Sequence, residues 1–164
     1  MDQTPRYEED IFAWSQHQAR VLRGLAARGV DLPHELDLEH VAEEIEGLGI
    51  SELNSVLIHL EGMLIQLAMA ASSPADASPR RGWLVEVNEH RRQALRRYTN
   101  AMRQRIDLDG LWRGALREAA ADLRLYGEAL APLPTACPYD LADLLSPEPN
   151  AEALLARLVP PPSG

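Results

Sequence analysis

The chain has 164 residues, 46% of them apolar, a net charge of −9 and one cysteine, Cys137. That length suits a single domain burying about two-thirds of its unfolded surface, and one cysteine excludes an internal disulfide and favours a reducing compartment. The acidic balance disfavours nucleic acid as a general partner.

The stretch from Tyr7 to Arg28 places Tyr7, Ile11, Trp14, Leu22 and Leu25 on one face of a first helix. Glu8, Glu9 and Asp10 suit its start, Arg23 and Arg28 its end, and Gly29 its cap. Residues 30–36, with Pro33, read as a loop, and Asp37 is an N-cap for a second helix. From Asp37 to Met69, Leu38, Ala42, Ile45, Val56, Leu60, Met63 and Leu67 hold a helical period through Gly47 and Gly49. Each glycine weakens a helix by about 1 kcal/mol, so the expectation is one long helix, roughly 50 Å at 1.5 Å per residue, kinked but unbroken.

Ala71 to Pro79 reads as a turn. A third helix is expected from about Trp83 to Gln104, with Leu84, Val87, Leu95, Tyr98 and Met102 facing inward. Asp107 or Asp109 caps a fourth, in which Trp112, Leu116, Ala119, Leu123, Tyr126 and Leu130 form the cleanest amphipathic stripe in the chain. Short helices are expected at residues 139–145 and from an Asn150 cap through Leu158. The fold expected is all-α, a single-domain bundle of about four main helices around the long central one, over residues 1–159, with a disordered tail at 160–164.

The Asp-x-Phe-x-Trp of Asp10, Phe12 and Trp14 is followed by Gln18, Ala19 and Leu22. Then come Ala-Glu-Glu-Ile-Glu-x-Leu-Gly at residues 42–49, Ser51 and Glu52, Trp83, the Glu-x-Arg of Glu89 and Arg91, and a closing Cys-Pro-Tyr-x-Leu-x-x-Leu-Leu at residues 137–145. In this order they resemble a bacterial family known as domain of unknown function 29. The resemblance spans Tyr7 to Leu145 and implies an all-helical fold, with no activity or catalytic residue to carry over. Ile50 stands where the family tends to have arginine, and Gln66, Met69 and Ala70 where it often has a histidine and then Lys-Trp.

All sixteen basic residues are arginine. Nine carboxylates and no arginine lie between Asp31 and Glu61, whereas eight arginines face only Glu86 and Glu89 between Arg80 and Arg105. The two segments are expected to pair as an antiparallel hairpin, with an arginine patch for RNA or an acidic partner as the rival reading.

The candidate site is a polar row on the long helix. Glu52, His59 and Gln66 recur every seven residues at or beside its apolar stripe, with Ser55 next to them, and Arg91, flanked by His90, interrupts the stripe of the third helix. Buried polar groups need partners, so the first expectation is a Glu52–Arg91 ion pair that fixes helix register, with His59 and Gln66 satisfied nearby. The alternative is a ligand pocket of these groups with Trp14, Trp83 or Tyr126.

No Glu-x-x-His motif is present, and Glu39, Glu43 and Glu46 fall on the far face, so no metal and no cofactor is expected. Cys137 has no histidine near it in sequence, and no phosphate loop or Gly-x-Ser-x-Gly elbow occurs.

The N-terminus MDQTPRYEED lacks the apolar stretch of a secretory signal. The longest apolar run is broken by His59, Glu61 and Gln66, so no membrane span is expected. The functional reading is a cytoplasmic helical interaction or scaffold protein, self-associating or bound to a protein partner. A small-molecule- or metal-binding bundle enzyme built on the polar row is the alternative.

Overall fold

The computed structural model describes residues 4–159. Among them the protein is all-α, without strands: α1 Ile11–Ala27, α2 Leu38–Ser72, α3 Ser78–Arg97, a 3-10 helix Asn100–Arg105, α4 Leu108–Leu125, α5 Leu141–Leu144 and α6 Ala151–Ala156. The tail expected at 160–164 lies outside the described residues. α2 runs for 35 residues and passes through Gly47 and Gly49 without a break. The chain clusters into two compact units, one holding the residues up to Ser55 with Arg97–Arg105, the other Val56–Arg96 with the residues from Ile106 on.

In the first unit, Asp10 fixes where α1 begins. Its carboxylate accepts a hydrogen bond from Ala13 N at 2.8 Å and a second from Thr99 Oγ1 at 3.0 Å. The helix therefore starts at Ile11 and not at Tyr7, because the cap residue itself must sit outside helical geometry. Tyr7, in the turn before it, meets Trp14 edge to face at 5.0 Å. Gly29, at φ 62°, takes the left-handed conformation that closes the C-terminus, its N–H reaching Ala26 O.

Phe12, Ser15 and Ala19 form the buried face of α1. Gly49 of α2 lies against it: a Cβ there would come 3.2 Å from Phe12 Cα and overlap Ser15 Oγ. The glycine that looked like a weakness of α2 is the residue that lets α1 approach it. Asp37 caps α2 through His40 N at 3.2 Å, as expected.

In the second unit, Val56, Leu60, Met63, Leu64, Leu67 and Ala70 are all fully buried. α2 is long and apolar enough to cross a membrane, with an 18-residue window of mean hydropathy 1.4, and 44% of that window is buried inside the protein. α3 starts at Ser78, earlier than expected, because Pro79 fits a first helical turn where no N–H is needed. It ends at Arg97, short of Gln104, and the chain tightens into the 3-10 helix that carries the buried Met102.

α4 is capped by Asp107, which accepts from Gly110 N at 3.0 Å, and buries Trp112, Ala115, Ala119 and Leu123. Leu116 is half-buried, and Tyr126 lies beyond the last turn, half exposed and edge-on to Trp83 at 5.5 Å. Trp112 is fully buried and donates its indole N–H to Pro134 O at 2.8 Å. Asp140 and Asp143 cap α5 reciprocally. Tyr139 OH donates to Leu154 O at 2.7 Å and ties the start of α5 to α6.

Candidate functional site

The expected polar row resolves into three separate arrangements. Glu52 is half-buried and accepts from Arg97 Nη1 at 2.9 Å on each carboxylate oxygen. His59 faces His90, with the two Nδ1 atoms 3.0 Å apart. Gln66 Oε1 is buried and has no hydrogen-bond partner.

Arg91 is buried, as its place on the inner face of α3 suggested, but its partner is not Glu52. Its Nη1 donates to Ser146 O at 2.8 Å and Pro147 O at 3.1 Å, which fastens the turn after α5 to α3. The expected Glu52–Arg91 pair is thus corrected on both sides: Arg97 answers the glutamate, and two backbone carbonyls answer the arginine. The two carbonyls answer Nη1 alone, while Nε is buried without a partner, and no side-chain pattern in the sequence reveals a backbone partner.

The acidic face of α2 also has a different partner from the one expected. Arg23 of α1 bridges it, with Nε 3.2 Å from Glu39 Oε1 and Nη2 2.8 Å from Glu46 Oε2. Arg92 of α3 pairs within its own helix with Glu89, and Arg80 donates to Ser73 O. Among the described residues, Glu52–Arg97 is the ion pair that links the acidic and arginine-rich segments.

Cys137 is half-buried; its N–H donates to Asp109 Oδ1 at 2.8 Å and its thiol faces Tyr139 O at 3.5 Å. Burial pushes the thiol up from its ordinary value, and Asp109 and Asp143 act in the same direction. These surroundings disfavour the thiolate that a nucleophilic cysteine needs. Among the described residues, no three His, Cys, Asp or Glu side chains converge as a metal site would require.

A cleft of about 570 Å³ opens in the second unit between α3 and the start of α6. Leu84, Val85, Pro149 and Ala153 supply apolar walls, and Arg81 and Glu152 supply one charge of each sign. Asn88 and Asn150 also line it, and the Oδ1 of each is buried without a partner. The orientation of Asn150 is fixed because its Nδ2 donates to Asp143 O at 2.7 Å. It occupies the N-cap position of α6, yet its side chain makes no capping hydrogen bond.

Trp14, Trp83 and Tyr126, expected as pocket walls, do not line this cleft. The two asparagines carried no signal in the sequence, because Asn88 sits mid-helix and Asn150 read as an ordinary cap.

The model of the family described as Domain of unknown function DUF29 matches residues 6–148. The chain is also similar to an alpha-helical protein of unknown function from Rhodospirillum rubrum ATCC 11170, known from a crystal structure at 1.45 Å. The two share 37% sequence identity at a TM-score of 0.88, over 96% of this chain and 100% of that one. No curated protein matches the chain.

Proposed function

Because the chain belongs to the DUF29 family of domains of unknown function, its role has to be read from its own surface, and we propose that it is a helical interaction protein docking a segment of a partner protein in the α3–α6 cleft. The observation that carries this reading is a cleft whose apolar wall of Leu84, Val85, Pro149 and Ala153 is edged by Asn88 and Asn150. The amide groups of these asparagines, with the Arg81 and Glu152 charges, set polar groups beside that wall.

Val85 adds the apolar part of the surface. It is 66% exposed on α3 and lines the same cleft, so a partner covering it gains burial as well as hydrogen bonds. The occupant that fits is an extended peptide segment, which offers backbone N–H groups at regular intervals beside a small apolar side chain.

The cytoplasm is the compartment we infer. Cys137 is a free thiol, and the apolar residues of α2 from Val56 to Ala70 are largely spent on packing within the second unit. Extended-peptide libraries displayed on phage and panned on the purified chain, with Val85→Asp as the counter-selection, test the proposal. Peptides enriched on the natural chain should bind at least about tenfold more weakly to Val85→Asp and to Asn150→Ala, as loss of a central contact entails. Enrichment of no peptide over the Val85→Asp decoy overturns the reading, and light scattering shows whether a second copy of the chain is the natural occupant.

A further inference from the structure

Two histidines from neighbouring helices of the second unit meet without a carboxylate between them. The His59 and His90 Nδ1 atoms are 3.0 Å apart, and the ring centroids are 5.3 Å apart with the planes inclined at 49°. That centroid separation equals the nitrogen gap plus two ring radii, so both nitrogens lie close to the line joining the ring centres. Their lone-pair axes therefore point at each other. At this distance one ring must carry the proton on Nδ1 and donate it, while the other accepts. A metal ion held by both nitrogens would need the two axes to converge at an angle, and here they run along one line.

The backbone of α2 is shaped for this meeting. Gly62, three residues beyond His59, lies under the His90 ring, where a Cβ would stand 2.6 Å from both Cε1 and Nε2. Any larger residue would push the ring of α3 away from α2. The charged and titratable groups facing His90 are His59 from α2 and Glu86 from α3.

We propose that the His59–His90 pair is an acid-operated latch between α2 and α3, closed by a shared proton and opened when both rings become protonated. With both rings neutral, the Nδ1–H···Nδ1 bond holds. One added proton, taken at an outer Nε2, leaves an imidazolium donating to an imidazole, and the bond survives. A second added proton sets N–H against N–H and one positive charge against another at the same contact, so the bond is lost.

The surroundings oppose that second proton. Burial, the largest influence, and the charge of His59 both hold His90 below its ordinary value, and Glu86 opposes them. A histidine that resists protonation only in the folded chain adds stability that is complete above its unfolded value of 6.5 and is lost as pH falls below it.

Amide hydrogen exchange and ring-nitrogen NMR on the full chain, from about pH 8 to about pH 5, test the latch. Amides of residues 59–66 and 86–94 should lose protection together at the acid end, exchanging at least about tenfold faster after the intrinsic pH effect is removed. In His90→Gln, whose amide can still bond His59 but takes no proton, protection should persist. Equal acid loss in both proteins, or full protection of the natural chain at the acid end, overturns the proposal. Should His90→Gln fail to fold, the ring nitrogens of the natural chain decide: coupled, stepwise titration of His59 and His90 supports the latch, and two independent single-step titrations refute it.

Discussion

Ser15 of α1 rests on Gly49 of α2 so closely that its hydroxyl occupies the space where a Cβ would be, and that hydroxyl is turned back to donate to Phe12 O at 2.9 Å. Gly47, one half-turn earlier, has nothing within 4 Å of the same position. Two glycines that look equivalent in the sequence thus have opposite standing in the fold.

Gly49→Ala should destabilise the protein by about 1–3 kcal/mol, because α1 must shift or Ser15 must change rotamer. Gly47→Ala should stabilise it by about 0.5–1 kcal/mol through helix propensity alone. Urea denaturation of the two variants beside the natural chain gives both signs, and a shared sign would contradict the helix crossing described for the first unit.

The two arginines of α3 that make long-range contacts should differ in their worth. Arg91→Ala removes a buried guanidinium and leaves the Ser146 and Pro147 carbonyls without their donor, at a cost of about 2–4 kcal/mol. Arg97 and Glu52 are only partly covered, with side chains 46% and 26% exposed, so Glu52→Ala should cost about 0.5 kcal/mol and less in high salt. Denaturation midpoints at low and high salt separate the two.

His40, paired with Asp37 at the start of α2, gives a pH dependence opposite in sense to that of the His59–His90 pair. His40 Nδ1 lies 2.6 Å from Asp37 Oδ2. The contact holds the histidine above its ordinary value of 6.5 and the aspartate below its ordinary 3.8, the side-chain hydrogen bond being the main cause for each. The histidine's contribution to stability is complete below 6.5 and disappears as pH rises through its elevated folded value. The aspartate's is complete above 3.8 and disappears as pH falls through its lowered one. NMR titration should place His40 above the ordinary histidine value of 6.5, and Asp37→Asn should return it to the ordinary range. A midpoint for His40 unchanged by that substitution would refute the pairing.

Local signals were legible in the sequence. Asp37 and Asp107 cap helices as read, Gly29 closes α1, and the inward face of α3 holds Val87 and Arg91. Each of these depends on residues within two turns of one another, where sequence spacing is spatial spacing. Partnerships across the chain were not legible.

The charge blocks suggested that α2 and α3 pair along their length, yet Arg23, an isolated arginine far upstream, takes Glu39 and Glu46. The partner of Arg91 is a pair of main-chain oxygens brought back from residues 146 and 147. His90 was visible only as a neighbour of Arg91, and Gly62 was the available hint: a glycine in mid-helix, one turn from a histidine, marks a place where something approaches the backbone closely.

His90 and Arg91 are consecutive residues whose side chains leave α3 for different destinations, one for α2 and the other for the turn after α5. Of the two fastenings, only the imidazole can answer a change in acidity near neutrality; a guanidinium keeps its charge and its five donors. Mild acid therefore sorts the attachments of one helix by side-chain chemistry, releasing its hold on the long helix while the C-terminal turn stays tethered. A single helix thus carries a permanent joint and a reversible one, side by side.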